Sequence, residues 1–415
     1  MAYSAKGTYS LCPKDARLNL PRDLYSHELR RKVAREAAKN SFDEVCATIK
    51  EYTGAHVPKR QAEELAKRAA TDFDDFYERR KCTDPEQAGQ TGPIMVLTTD
   101  GKGIAMRRED LRDATRKAAE KQRKKLGKRL TKGEKRNRKR MATMATVASV
   151  YTTVPFERTP EDIVRELGPV REVTGNKRPR PEFKRVWASI EKPKKEVIEE
   201  IFEEALRRDP DRRKLWTAVV DGEDKQLELI EKTAEKYGVA LICVLDIIHV
   251  LGYLWKAAYV FRKEASRDAE QWVSKQLLLL LQDRLRQVAD TIRQSVITHQ
   301  IPADKRGAAD KCLEYLLKYK KMLRYDKYPA LGLPIASGVI EGACRHLVKD
   351  RMDRTGARWG LECGEAVLRL RDLSVSGDFE EYWNFYLKCE YERNHALYDR
   401  SEEAEAVGSH LRLIK

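Results

Sequence analysis

Asp221 and Asp246 each close a short run of apolar residues, and His249 follows the second three positions on. The runs are 215–220, rich in β-branched residues, and 239–245. Between them residues 224–237 have helical spacing, and Gly238 stops the pattern. A strand–helix–strand unit makes its two strands parallel, which puts both carboxylates at the carboxyl ends. Open α/β sheets hold ligands along that edge. Oxygen ligands gathered there suit a hard cation such as magnesium, which also keeps several waters. Plainer roles compete: Asp221-Gly222 as a turn and Asp246 as a helix N-cap. On a helix His249 shares a face with Asp246, where the pair either assists chemistry or caps and packs.

A third acid, Glu341, lies in the helical pattern SGVIEGACRHLVKDRM, residues 337–352, beside a face made by Val339, Ile340, Ala343, Cys344, Leu347 and Val348. Arg345 stands four positions on, and a Glu–Arg pair at that spacing is ordinarily a surface ion pair giving about 0.2–0.5 kcal/mol. The alternative turns Glu341 toward the carboxylates at the sheet edge. Three acids on separate elements, two from strands and one from a late helix, would hold two magnesium or manganese ions. Such a pair, roughly 3.5–4 Å apart, activates an attacking oxygen and stabilises the leaving oxygen in phosphoryl transfer. No nucleophilic side chain is then needed. The chain carries neither a GxSxG motif nor a P-loop, so acyl-transfer and ATP-driven chemistry find no support.

The elements that must position these acids begin at residues 94–99, a strand pattern. Asp100-Gly-Lys-Gly103 and a second apolar run, 104–106, follow, and Asp-Gly between apolar runs signals a hairpin. Residues 141–154 are rich in β-formers and read as a strand beside that hairpin. A basic stretch with breakers, 171–185, reads as an exposed connection, and 196–208 as a helix. Three early strands, a helix and a strand ending in an acid give the order of an RNase H-like core. That order makes Asp221 the second acid, with Asp246 its rival. Residues 262–328 are helical, with an apolar stripe too broad for a two-stranded seam. After the breakers Pro329, Gly332 and Pro334 come the helix of Glu341, one or two helices over 361–398, and a frayed tail.

Lysine and arginine number 82 against 66 acidic residues, a formal net charge of +16. That excess favours a polyanionic partner, nucleic acid or an anionic membrane surface. The longest wholly apolar run is about seven residues, against roughly 20 for a spanning helix. There is no signal-peptide pattern. The eight cysteines contain no CxxC and read as reduced, mostly buried thiols of a cytosolic protein.

Residues 1–24 read as irregular, with Pro13 and Pro21 as breakers. Three helical patterns follow, from Ser26, Ser41 and Val57. Ser41 serves as an N-cap, Gly54 as a stop, and Pro58 stands near the first position of the third. Two helices about a glycine turn, the later one carrying Lys59 and Arg60, resemble a helix-turn-helix. Residues 116–140 hold fourteen Lys or Arg and two Glu. Such a block cannot form a core and suits phosphate contact. Its candidate contacts are Lys124, Lys125, Lys128 and Arg129, then Arg136, Arg138, Lys139 and Arg140. Arg345 joins them from the late helix.

Six strings, SHELRRKVAREAAKNSFDEV, TGAHVPKRQAEEL, TTDGKGIAM, VVDGEDKQLELI, LDIIHVLGYLWKAA and SGVIEGACRHLVKDRMDRTGARW, resemble bacterial insertion-sequence transposases of the ISKra type. The resemblance spans roughly residues 18–371. It implies a DDE enzyme that cleaves transposon ends and joins 3′ hydroxyls to target DNA with two magnesium ions. It implies Asp100 as the first acid in TTDGKG, Asp221 as the second, Glu341 as the third, and Asp246 with His249 as an Asp-x-x-His pair. Family members often carry a cysteine-rich N-terminal segment, whereas here only Cys12 precedes Ser41.

The expected architecture is therefore α/β, a mixed-sheet RNase H-like core with added helical parts. Residues 1–82 form a helical, helix-turn-helix-like DNA-binding region. The core spans 94–261 with a basic arm at 107–140. A helical insertion takes 262–330, the rest of the core 331–399, and a tail 400–415. Double-stranded DNA is the expected partner, bound by a homodimer or higher oligomer, with no membrane. The rival expectations are an inactive or repurposed DNA-binding protein of the same fold, and a nuclease without strand joining.

Overall fold

A computed structural model describes residues 3–4, 10–11, 13–81, 91–120, 142–168 and 178–411. Two short strands, β1 (Tyr3–Ser4) and β2 (Ser10–Leu11), pair antiparallel, and α1 (Pro13–Arg17) follows. This departs from the irregular stretch expected there: Pro13 opens a helix instead of breaking the chain, because a first-turn proline gives up no helical hydrogen bond. Next come α2 (His27–Lys39), capped by Ser26, and α3 (Phe42–Thr53). Ser41 and Glu44 form a capping box at the start of α3, and Gly54 ends it in the left-handed conformation at φ 70°. The single helix expected from Val57 is two, α4 (Lys59–Ala69) and α5 (Phe73–Lys81). Pro58 stands at the N-cap of α4. The break falls at Asp72, whose carboxylate is gripped by Arg393 at 2.6 and 2.8 Å.

The central sheet is built from β3 (Ile94–Ala105), α6 (Asp113–Glu120), β4 (Ala142–Thr153), α7 (Pro160–Leu167), β5 (Glu182–Ser189), α8 (Lys194–Arg208), β6 (Leu215–Val220), α9 (Asp224–Lys236), β7 (Leu241–Leu245) and α10 (Ile247–Phe261). Its strand order is β5-β4-β3-β6-β7. The β5–β4 and β4–β3 pairs are antiparallel, whereas β3–β6 and β6–β7 are parallel. The β6–α9–β7 unit is as the residue pattern requires.

Two expectations fail here. Asp100-Gly101 does not turn: β3 is one strand, paired with β4 from Ile94↔Thr153 to Ala105↔Ala142, with Asp100 opposite Val147. Twelve residues of ladder outweigh a local turn preference. The third early strand is β5, inside the stretch read as an exposed connection. Its polar first half (Glu182, Lys184, Arg185) hides a strand whose second half, Val186–Ser189, is buried.

Beyond α10 lie α11 (Arg267–Leu281), α12 (Leu285–Thr298) and α13 (Gly307–Lys318), the helical stretch expected, with turns at Asp283 and Gln300 in positive φ. Then comes one helical run in three parts: α14 (Gly338–Ala343), a π-helical segment (Cys344–Lys349) and α15 (Asp350–Met352). The last described elements are α16 (Leu361–Ser376) and α17 (Phe379–Leu411), which continues into the stretch expected to fray. Two apolar clusters form. One joins the sheet to α8–α13; the other joins β4 and β5 to α2–α5, α14, α16 and α17. Among the described residues, no helix is long and apolar enough to cross a membrane.

Candidate carboxylate site at the strand ends

The parallel register fixes the site. Thr98↔Val219 is the last registered pair of β3 and β6, so Asp100 and Asp221 stand two positions beyond it on neighbouring strands. Paired strands run about 4.8 Å apart. Asp246 follows β7, and its backbone N–H donates to the Val220 carbonyl at 2.8 Å, which sets it beside Asp221. The amide of Gln226, on α9, donates to the Thr99 carbonyl at 2.9 Å and ties that helix to the end of β3.

The plainer roles of both aspartates are present. Asp221 Oδ1 accepts from the Glu223 N–H at 3.1 Å, closing a turn through Gly222 at φ 88°. Asp246 caps α10 by accepting from the Ile248 N–H at 2.8 Å, and it is completely buried. Its other oxygen accepts from the Ser337 hydroxyl and lies 3.4 Å from His249 Nδ1. His249, by contrast, is exposed. Its hydrogen bond to Asp246 raises its pKa, with Asp221 and Asp100 adding to the shift.

Glu341 enters on α14, which packs against β3 and β4. Burial holds its pKa above the usual carboxylate range, and the negative charges of Asp246 and Asp100 push the same way. The charges acting on it are those two and His249, not Arg345, so the surface ion-pair reading is not what forms. Asp221 is raised for the same reasons, burial first and then Asp100. Cys344, one turn beyond Glu341, places its thiol 3.3 Å from Asp100 Oδ2. The register and the hydrogen bonds bring Asp100, Asp221, Asp246 and His249 to one sheet edge, and α14 carries the exposed Glu341 against β3 and β4.

Among the described residues, no three His, Cys, Asp or Glu side chains converge tightly enough to cage a metal. The donor set nevertheless suits magnesium or manganese: hard carboxylate oxygens whose negative charges push one another's pKa upward.

Several supporting residues carry no sequence signal of their own. Tyr315, on α13, donates to the Asp221 carbonyl at 2.7 Å, and Tyr319 donates to the Gly222 carbonyl and to Asp224. Tyr325 donates to the Leu245 carbonyl at 2.6 Å. In the sequence these tyrosines fall in the stretch 262–328, read only as helical, and only the fold reveals that their hydroxyls end on the site's backbone.

The predicted nucleic-acid contacts lie elsewhere. Lys59 opens α4 and pairs with Asp43 at 2.7 Å, while Arg60 beside it is exposed. Other basic groups of α4 are also matched, Lys67 to Glu64 and Glu362, and Arg68 to Asp23. Arg345 is exposed on the π-helical segment. Lys124, Lys125, Lys128, Arg129, Arg136, Arg138, Lys139 and Arg140 lie outside the described residues. The chain matches no protein-family model, and comparison with curated proteins finds no relative.

Proposed function

We propose that this chain is a DDE-type DNA transposase with an RNase H-like catalytic core, acting on double-stranded DNA as a homodimer or higher oligomer. The observation that carries the reading is the pairing of Asp100 and Asp221 at the same level on neighbouring strands, with Asp246, His249 and Glu341 beside them. The strand order β5-β4-β3-β6-β7, with a helix between β5 and β6, is also what this reading expects.

Asp100, Asp221 and Glu341 would hold the metal ions. Two bound magnesium or manganese ions supply activation of the attacking oxygen and stabilisation of the leaving oxygen. The protein's part is placement. Two acids ride on strands pinned by ladder hydrogen bonds, and a third rides on a helix packed across them. Asp246 fixes the α10 cap and His249 together, leaving an exposed imidazole at the edge of the site. The chain's net charge of +16 supplies affinity for phosphates, which need not come from the site itself.

The test uses the full chain, magnesium or manganese, and DNA carrying the terminal repeats that flank its coding region. Cleavage at the ends and joining of 3′ hydroxyls to target DNA are expected. Asp100→Asn, Asp221→Asn and Glu341→Gln should each abolish both steps while DNA binding persists. Cleavage without joining would leave a nuclease, and binding without either reaction would leave a DNA-binding protein of this fold.

A further inference from the structure

At the far edge of the sheet, three arginines share one carboxylate. Glu204, on α8 and 1% exposed, accepts from Arg185 at 2.7 Å, from Arg207 at 2.6 Å and from Arg208 Nε at 2.7 Å. The three guanidinium side chains are only 11, 16 and 10% exposed. Other acids nearby are committed: Glu200 to Trp187 and Lys192, Asp378 to Arg80 and Tyr77. The carboxyl end of α8 contributes about half a negative charge, which still leaves the cluster positive. Burial weighs most against the charged form of Arg208, Glu204 supports that form, and Arg207 and Arg185 then oppose it. Buried charge held short of neutrality is costly unless a partner completes it.

These groups line a cavity of about 150 Å³ whose lining holds five basic residues against two acidic ones. At roughly 30 Å³ per water it has room for a tetrahedral oxyanion with some of its solvent. Lys184 is exposed on its wall. So is Phe183, a large aromatic left 56% exposed. Phe183 is also held at φ 46°, in the left-handed region, where its carbonyl accepts from Arg208. A bulky residue kept there is strained, and such outliers gather at ligand-binding positions. Thr152 of β4 lies on the wall too, five residues along the strand from the partner of Asp100, about 17 Å at 3.4 Å per residue. The cavity is thus separate from the carboxylate site, and its argument does not depend on the transposase reading.

We propose that this cavity binds a phosphate group, seated against Arg207, Arg185 and Lys184, and that Phe183 stacks on the base of a nucleotide carrying it. Excess positive charge selects the anion, and an exposed ring beside it is the platform that unpaired bases use. The phosphate is either inorganic or part of a nucleic-acid strand, and the assay separates the two.

Calorimetry on the full chain would use two probes, inorganic phosphate and a 5′-phosphorylated thymidine dinucleotide. Arg207→Gln should weaken both about tenfold and Lys184→Gln about threefold, whereas Phe183→Ala should weaken the dinucleotide alone. Phe183→Ala without effect on either probe would assign the cavity to free phosphate and overturn the base platform. Lys184 lies on the exposed rim, so its variant keeps the test intact should Arg207→Gln disturb the fold. Unchanged affinity for both probes in a folded Lys184→Gln and Arg207→Gln would overturn the site altogether.

Discussion

The same sheet carries two charged clusters built on opposite plans. At the ends of β3, β6 and β7 the acids are steadied by neutral donors: tyrosine hydroxyls on their backbone, the Ser337 hydroxyl, and N–H groups of the following turn and helix. The carboxylates press on one another, and His249 opposes that push. At the β5 edge one carboxylate, Glu204, is shared by three arginines, and the arginines are in surplus. A folded chain that withholds neutralisation leaves charge for something else to complete. The sign of that charge forecasts the ligand, a divalent cation at one edge and an oxyanion at the other.

Removing one acid from each cluster is the sharpest contrast. Glu204→Gln should destabilise by about 3–5 kcal/mol in urea unfolding at neutral pH, because it strands three buried guanidiniums. Gly222→Ala comes next, at about 1–3 kcal/mol. It forces a side chain into a positive φ, and the added carbon would stand 2.9 Å from the Tyr319 ring. Tyr315→Phe should cost about 1 kcal/mol, the net value of one hydrogen bond, with a larger proportional loss of metal-dependent activity than of DNA binding.

Acid should erase the first of these differences. The arginines hold the Glu204 carboxyl far below its ordinary value of 4.5, against the opposing effect of its burial. Its contribution is therefore full above that value and is lost as pH falls below it. Wild type and Glu204→Gln should converge in stability between about pH 5 and pH 2, measured by unfolding at each pH. The smallest effect has the opposite sign. In metal-free buffer Asp221→Asn should raise the thermal midpoint slightly, by the equivalent of roughly 0.5–1 kcal/mol, the scale of partly exposed charge interactions. A fall in that midpoint would break the contrast.

Local signals carried part of this fold. Ser41 and Gly54 bound α3 because capping is settled within a few residues. The β6–α9–β7 unit shows through because parallel, buried strands are continuous apolar runs. What the sequence hid was settled by distant partners. Asp100-Gly101 reads as a turn until β4 is laid alongside. The start of β5 reads as solvent-facing until Glu204 receives Arg185. For the site, Asp221, Asp246 and Glu341 could be singled out from their positions, whereas Asp100 rested on family resemblance. Cys344, Ser337 and the tyrosines were silent, since their role is a contact made across tens of residues.

One feature near Glu341 concerns length and phase. The π-helical segment Cys344–Lys349 closes i→i+5 bonds where an α-helix closes i→i+4, so each of its turns takes one residue more. On one side of it Glu341 faces the strand ends. On the other, Arg351 is clamped, its Nε on the Ala37 carbonyl at 3.0 Å and its guanidinium stacked 4.7 Å from the Trp359 ring. Two anchorages fixed by different neighbours are joined by a run wound wider than an α-helix. Rewinding the run as α-helix with its residue count unchanged would rotate Glu341 about 100° relative to Arg351. The chain thus stores the bearing of Glu341 as a count of residues: deleting exposed Lys349 while the run relaxes to an α-helix would keep that bearing, whereas relaxation without a deletion would misdirect it.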